Sequence, residues 1–170
     1  MKLIERILEW ITDYRPGRYI GDNSGPYLER YYLFTFLGYV FYLHRFAGSD
    51  NDRELHDHPW VRAFSIVLSG WYWETTRTGV SKTKVFNKLH GDTFHRVTLP
   101  KKYGKDEPCW TLFFHRHGRA KEWGFLRDQG DGTFLFIPYK YEREGSQKDW
   151  WLRAPVGRVF KLQLKAAGFR

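Results

Sequence analysis

Two of the seven histidines, His56 and His58, stand one residue apart in Glu54-Leu55-His56-Asp57-His58-Pro59-Trp60, ahead of the apolar run from Val61 to Trp73. On an extended strand, residues i and i+2 share a face, so this pair aims two imidazoles into one space. A third, His95 in Thr93-Phe94-His95-Arg96-Val97, lies on another strand-like segment. Three neutral imidazoles would hold a divalent ion and leave coordination positions open for substrate or water. The alternative is two surface-loop histidines with no connection to His95.

Satisfaction of polar groups favours the metal reading. Three buried imidazoles without a cation would each need hydrogen-bond partners, whereas one ion satisfies all three acceptor nitrogens and leaves each remaining N–H for a neighbouring acceptor. His115 and His117 form another i, i+2 pair. His117, next to Gly118 at a strand end, reads as surface, while an inward His115 could be a fourth ligand or a general acid/base near neutral pH. His44 and His90 have no partner in the sequence and read as packing or surface residues.

Alternation from Ala63 puts Ser65 and Val67 on the inward face, so Ser65 is a candidate to touch a ligand. Arg45, in the strand just before the H-x-H loop, is the arginine best placed to clamp a carboxylate or phosphate bidentately. An outward Arg45 is equally compatible with the pattern. There is no P-loop, G-x-G-x-x-G, H-E-x-x-H, G-x-S-x-G elbow or paired C-x-x-C. Phosphoryl transfer from ATP, dinucleotide oxidoreduction and zinc-finger binding therefore have no support.

The elements that must position these residues read mainly as strands. Leu3, Ile4, Ile7, Leu8 and Ile11 fall at helical spacing, so residues 2 to 13 are expected to form an amphipathic helix docked on the outside of a sheet. Tyr14 to Pro26, rich in Gly and Pro, is expected to be a loop. Strands are expected over Glu29 to Phe36, Tyr39 to Phe46, the H-x-H segment through Trp73, Thr83 to Leu89, Thr93 to Leu99, Trp110 to Arg116, Ala120 to Leu126 and Thr133 to Pro138. The polar run Gly48 to Asp52 reads as a turn. The stretch from Trp150 to Leu164 is ambiguous between strand and short helix. About eight short strands after one helix suggest a sandwich or barrel.

Composition agrees. The 170 residues suit one domain, divided here into an N-terminal helix and loop, 1–26, packed on a β-barrel, 27–170. Aromatic residues make up 19%, which fits pleated, half-buried surfaces. The single cysteine, Cys109, cannot form an internal disulfide and reads as a buried small hydrophobe. The N-terminus lacks the uninterrupted apolar core of a signal peptide. The longest apolar stretch, Tyr31 to Leu43, is 13 residues, short of the roughly 20 a membrane helix needs. A cytoplasmic protein with no membrane partner is the expectation. Of the net charge of +9, most falls between Lys82 and Lys121, where ten Lys or Arg face three acids. These basic residues either rim the site and draw in an anion or form a solvated surface.

The motifs resemble those of the cupin superfamily. His56-x-His58, with Gly70 closing the strand in register, is similar to its first motif, although Ala63 stands where the usual Glu ligand would be. Gly91-Asp92 and His95 are similar to the second. The resemblance covers roughly Leu43 to Leu126 and implies an all-β, cupin-like jelly-roll barrel, with pairing into a homodimer as an option. Loss of the Glu narrows the likeness to three-histidine cupins such as the thiol dioxygenases, including cysteine dioxygenase, whose His-Arg-Val resembles His95-Arg96-Val97. Where that enzyme has Ser-x-His-x-Tyr, this chain has Thr111-Leu112-Phe113-Phe114-His115, so thiol oxidation is not implied. His56-Asp57-His58-Pro59-Trp60 and Glu122-Trp123-Gly124-Phe125 also resemble uncharacterised cupin-like proteins of phage and prophage genomes.

The leading expectation is a metal-binding cupin, an oxygenase- or isomerase-type enzyme using Fe(II), or else Mn, Ni or Zn, on a small polar or anionic substrate. The alternative is a non-catalytic metabolite- or sugar-binding cupin or a phage structural protein. Nucleic-acid binding, resting on charge and aromatics alone, ranks last.

Overall fold

The computed structural model describes residues 2–22, 25–50, 54–118, 121–139 and 149–170. Helix α1, Leu3–Asp13, is followed by strands β1 (Gly17–Asp22), β2 (Gly25–Phe36), β3 (Tyr39–Phe46), β4 (Leu55–His56), β5 (Arg62–Ser69), β6 (Tyr72–Thr76), β7 (Gly79–Thr83), β8 (Phe86–His90) and β9 (His95–Thr98). A small hairpin, β10 (Lys101–Lys102) and β11 (Lys105–Asp106), leads to β12 (Cys109–Arg116), β13 (Gly124–Asp128) and β14 (Phe134–Pro138), and the chain ends in helix α2, Gly157–Ala166.

The strands form two six-stranded antiparallel sheets, ordered β1-β2-β3-β12-β5-β8 and β14-β13-β4-β9-β6-β7. From β3 onward the chain hops between sheets, so β3-β12-β5-β8 faces β4-β9-β6-β7. That interleaving of two Greek keys is the strand order of a jelly roll. Tyr72 and Val97 of the second sheet pack on Cys109, Phe46 and Val67 of the first, which places this part of the core between the sheets.

The helices lie on the outer face of the first sheet. Leu8 of α1 and Phe160 and Leu164 of α2 bury against Tyr31, Leu43 and Trp110. Glu5 accepts from the Lys2 backbone N–H at 3.0 Å, satisfying one open donor at the start of α1. Lys161, buried at 6% exposure, is neutralised where the helices meet, reaching Asp13 at 2.8 Å and Glu9 at 2.9 Å. At the crossing from β5 to β6, Gly70 has φ +83, and a Cβ there would meet the Pro108 carbonyl at 2.7 Å, so only glycine fits.

Several expectations are corrected. The segment read as a loop, Tyr14 to Pro26, contains β1, hydrogen-bonded to β2 from Gly17 to Asp22; Gly17 brings the backbone against Phe160 of α2 and Gly21 brings it against β2, rather than breaking the strand. The H-x-H strand through Trp73 is three strands, β4, β5 and β6. Pro59 has no N–H to give to a ladder, and the chain crosses between sheets on either side of β5. Thr83 to Leu89 is likewise divided between β7 and β8. The C-terminal ambiguity resolves as a 3-10 turn, Trp150–Leu152, followed by α2. Asn51 and Asp52 of the expected turn, and Ala120 of the expected strand, lie outside the described residues.

Candidate metal centre

The jelly roll brings the three histidines together. His56, on β4, is the direct cross-strand partner of His95 on β9, and His58 follows where the chain leaves the strand. Ring centroids stand 5.3 Å apart for His56–His58, 5.0 Å for His56–His95 and 5.1 Å for His58–His95, close to an equilateral triangle. One ligand nitrogen from each ring lies within 4.8 Å of the other two, and the Nε2 atoms of His58 and His95 are 2.9 Å apart.

Buried carboxylates stand beside the far nitrogens of two of the rings. His95 Nδ1 donates to Glu74 Oε1 at 2.7 Å, and His56 Nδ1 meets Asp50 Oδ2 at 3.2 Å. For His95, the hydrogen bond of Nδ1 to the carboxylate fixes the tautomer and turns the Nε2 lone pair inward. Burial, and for His58 also the charges of His95 and His56, holds both His58 and His95 below the usual imidazole range, so both are neutral near pH 7. Burial alone would raise the Glu74 carboxyl, but its hydrogen bond and charge pairing with His95 outweigh that and bring it below the usual value. Converging lone pairs with anionic support behind them are the donor set of a divalent cation site, so these residues fit a metal.

The support continues across the core. Asn87 Nδ2 donates to Glu74 at 2.6 Å and to the Tyr72 hydroxyl at 3.2 Å. Ser65, on the inner face of β5, is hydrogen-bonded to the same hydroxyl, and burial pushes the Tyr72 phenol up to about 12. Ser65 thus sits at the end of the chain that runs back to His95.

Asp57 points away from its flanking histidines and is fully buried. It pairs with Lys121 and accepts the Gly124 N–H at 2.8 Å, while its own N–H reaches the Gly124 carbonyl. The Asp in the H-D-H motif therefore ties the histidine segment to the start of β13.

His115 turns inward but is not one of the three converging rings, and Arg45 turns outward. His115 is buried with its ring 3.8 Å from that of Trp60, which also stacks on His58 at 5.2 Å, and its Nδ1 donates to the Arg116 carbonyl at 2.7 Å. It is not among the three converging residues, and burial lowers it to about 3. An imidazole that stays neutral at physiological pH is a poor acid/base there; its contact supports the Trp60 wall instead. Arg45 lies on the outer face of the first sheet, donating to Glu29 at 2.6 Å within a network that includes Glu9 and Arg170. It is committed to the helices and does not face the histidines.

Arg30 of β2 turns into the barrel, and nothing in the sequence pattern singles it out. Its Nε donates to His44 Nε2 at 2.9 Å. Both faces of β2 are buried, so alternation gave no sign of which charge turned inward. Glu74 left a signal, a lone acid in Tyr72-Trp73-Glu74 on the face of Tyr72, whereas Asp50 in a polar run left none. A shallow hollow of about 380 Å³ lined by Trp73, Thr75, Val80 and Thr98 is on the opposite, outer face of the second sheet and contains no titratable side chain.

No family model and no curated protein matches the sequence. Among solved structures the chain is similar to a cupin-2 domain protein from Rhodospirillum rubrum, at 19% identity over 63% of this chain and 72% of that one, with a TM-score of 0.49. It is also similar to a sugar phosphate isomerase of the cupin superfamily from Silicibacter pomeroyi, at 14% identity over 73% and 86% of the two chains and a TM-score of 0.49. Hydroxypropylphosphonic acid epoxidase from S. wedmorenis shares 15% identity over 61% of this chain and 56% of its own, at a TM-score of 0.46. At this level the likeness is one of general shape, and the jelly-roll assignment stands on the strand order. No helix among the described residues is long and apolar enough to cross a membrane.

Proposed function

We propose that the protein is a metal-dependent enzyme of oxygenase or isomerase type acting on a small polar or anionic substrate, with His56, His58 and His95 holding one divalent ion, Fe(II) first and Mn, Ni or Zn next. The observation that carries this reading is the convergence of His56, His58 and His95, with the buried Glu74 carboxylate hydrogen-bonded to Nδ1 of His95. A bound ion would supply Lewis acidity, or redox chemistry if it is iron, at positions the protein leaves open.

The chain's own residues supply the rest. Three neutral imidazole ligands leave the full double positive charge on the ion, which favours chelation by an anion. Glu74 holds the His95 ring in register through its hydrogen bond, and the Asp50 carboxylate lies 3.2 Å from Nδ1 of His56, so part of the ligand geometry is set before substrate arrives. Trp60, Tyr42 and Phe113 line the adjoining interior with apolar surface, excluding water and strengthening every charge interaction within.

The test is metal analysis of the purified full-length protein, followed by turnover assays with and without oxygen. A stoichiometric divalent ion, lost in His95→Ala, supports the reading, as does metal-dependent turnover. No metal, or metal content unchanged in that variant, refutes it. A full complement of metal with no turnover over oxygen-dependent and isomerase substrate panels would instead favour a non-catalytic binding protein.

A further inference from the structure

Five phenylalanines cross the outer face of the first sheet in one row. Phe34, Phe41, Phe114 and Phe64 are successive cross-strand partners on β2, β3, β12 and β5, and Phe86 of β8 meets Phe64 at the end. Their strand neighbours Tyr42 and Phe113 point into the barrel, so Phe41 and Phe114 point out of it. Rings in the row of four stand 4.7 to 5.1 Å apart and within 28° of parallel. Rings stacked on one another stand upright on the sheet and show solvent their C–H edges, a surface that packs against apolar side chains and offers few faces to a base or a sugar.

The helices stop short of this row. They cover Leu43 and Leu112, each one pleat along its strand from Phe41 and Phe114. Glu9 and Asp13 turn to α2, where both meet Lys161, and Glu9 also reaches Arg45. The opposite flank of α1 therefore looks toward the row, and it carries Leu3, Ile7, Trp10 and Tyr14 at i, i+4, i+7 and i+11, all exposed. Docking α1 on its own sheet uses Leu8 and Ile11; this second apolar stripe has no use within one copy. Leu37, at the tip of the β2–β3 hairpin beyond the row, is 82% exposed with φ +47, and Gly38 follows at φ +74. A turn with two positive φ values favours Asn-Gly, so a leucine there is strained as well as exposed.

We infer that this face joins two copies of the chain about a two-fold axis, with α1 of each copy lying on the phenylalanine row of the other. A helix standing on a sheet beside a bare apolar strip makes a step, and two such steps related by a two-fold fill one another, each α1 supplying the missing layer over its partner's sheet. The area suffices: at full accessible areas of about 200 Å² per large side chain, the exposed parts of the α1 stripe, Phe34, Phe36, Leu37 and Phe86 come to roughly 900 Å² on each copy. A stable dimer takes about 800 Å² from each partner, and the largest apolar patch of a typical monomer is about 300–600 Å². The stripe and the row contain no charged residue; Arg62, Lys88 and Arg116 are exposed at the margin, as in an apolar interface core with a polar rim. A flat bilayer would bridge the step and leave its corner empty. The pairing does not depend on the metal-enzyme reading.

The test is sedimentation velocity of the full-length protein over a dilution series at low and high salt. A monomer–dimer equilibrium is expected, with association held or strengthened by salt, because each copy carries +9 and screening relieves their repulsion. Ile7→Glu and Phe34→Glu should each weaken association at least tenfold, with Tm unchanged at dilutions where the parent is monomeric. Leu37→Asn should weaken association while keeping or raising that Tm. Val80→Glu, exposed on the outer face of the second sheet, should dimerise like the parent. If Phe34→Glu does not fold, Ile7→Glu decides. A protein monomeric at every concentration, or a dimer that survives Ile7→Glu and Phe34→Glu, overturns the inference. So does a monomer that binds vesicles of anionic phospholipid in a manner lost in Ile7→Glu, which would give the face to a membrane surface.

Discussion

Glu74 Oε1 accepts the Nδ1 hydrogen of His95 at 2.7 Å, so the carboxylate stands behind the ligand rather than beside the metal position. Cupin-like motifs normally carry a Glu in the strand after the H-x-H pair, and here Ala63 fills that place. The Glu74 charge stands one layer behind the three imidazoles, where it orients the His95 ring, and an ion held there would meet neutral ligands only.

Glu74→Gln should therefore weaken metal binding without unfolding the protein. The expected loss is about 10- to 100-fold in affinity, since the amide can still accept a hydrogen bond but no longer polarises the ring. Chelator competition measures it, and an unchanged metal affinity would remove Glu74 from the centre.

Asp57 anchors the histidine segment to β13 through Lys121 and the Gly124 N–H. Removing it deletes charge-assisted hydrogen bonds at a buried position, so Asp57→Ala should cost about 2 kcal/mol in urea unfolding. The same variant should hold less metal, because β4 would no longer be fixed against its neighbour. Wild-type stability in Asp57→Ala would contradict this role.

Burial keeps His115 down to about 3 and His44 well below its ordinary range, and the charge of Arg30 adds to both. The unfolded chain titrates these groups near pH ~6.5, so between that value and the folded values it binds more protons than the native state. Stability is full above about pH 6.5 and falls with acidification, each histidine adding a slope of up to about 1.4 kcal/mol per pH unit. Urea unfolding from pH 7 to pH 4 should show this slope, and His115→Gln should reduce it by one proton's worth. An identical slope in the variant would show that His115 titrates normally.

Cys109 has no exposure, and burial pushes its thiol up to about 12. Native protein should not react with a disulfide reagent at pH 8, while denatured protein should react with one equivalent. Rapid labelling of the native state would contradict its place in the core.

Much of this was legible in the sequence because periodicity and metal-ligand spacing act locally. The α1 stripe from Leu3 to Ile11, the strand patterns of β2, β3, β9, β12 and β14, and the H-x-H pair needed no tertiary information. What was not legible depends on which face of a doubly buried strand looks inward. β2 and β3 have helices on one side and barrel on the other, so the pattern does not tell which way Arg30 and Arg45 look, and it is Arg45 that faces the helices. β1 was hidden because its glycines serve close approach to Phe160 and β2, a use that composition cannot separate from a loop. Asp50 acquires meaning only when His56 is placed beside it.

The most direct measurement is anomalous diffraction from crystals of the purified protein, collected at the absorption edge of the metal found by elemental analysis. A single peak is expected within bonding distance of one ring nitrogen from each of His56, His58 and His95, with the Glu74 carboxylate on the far nitrogen of His95. A peak elsewhere, or none in crystals grown with added Fe(II), Mn, Ni or Zn, would contradict it.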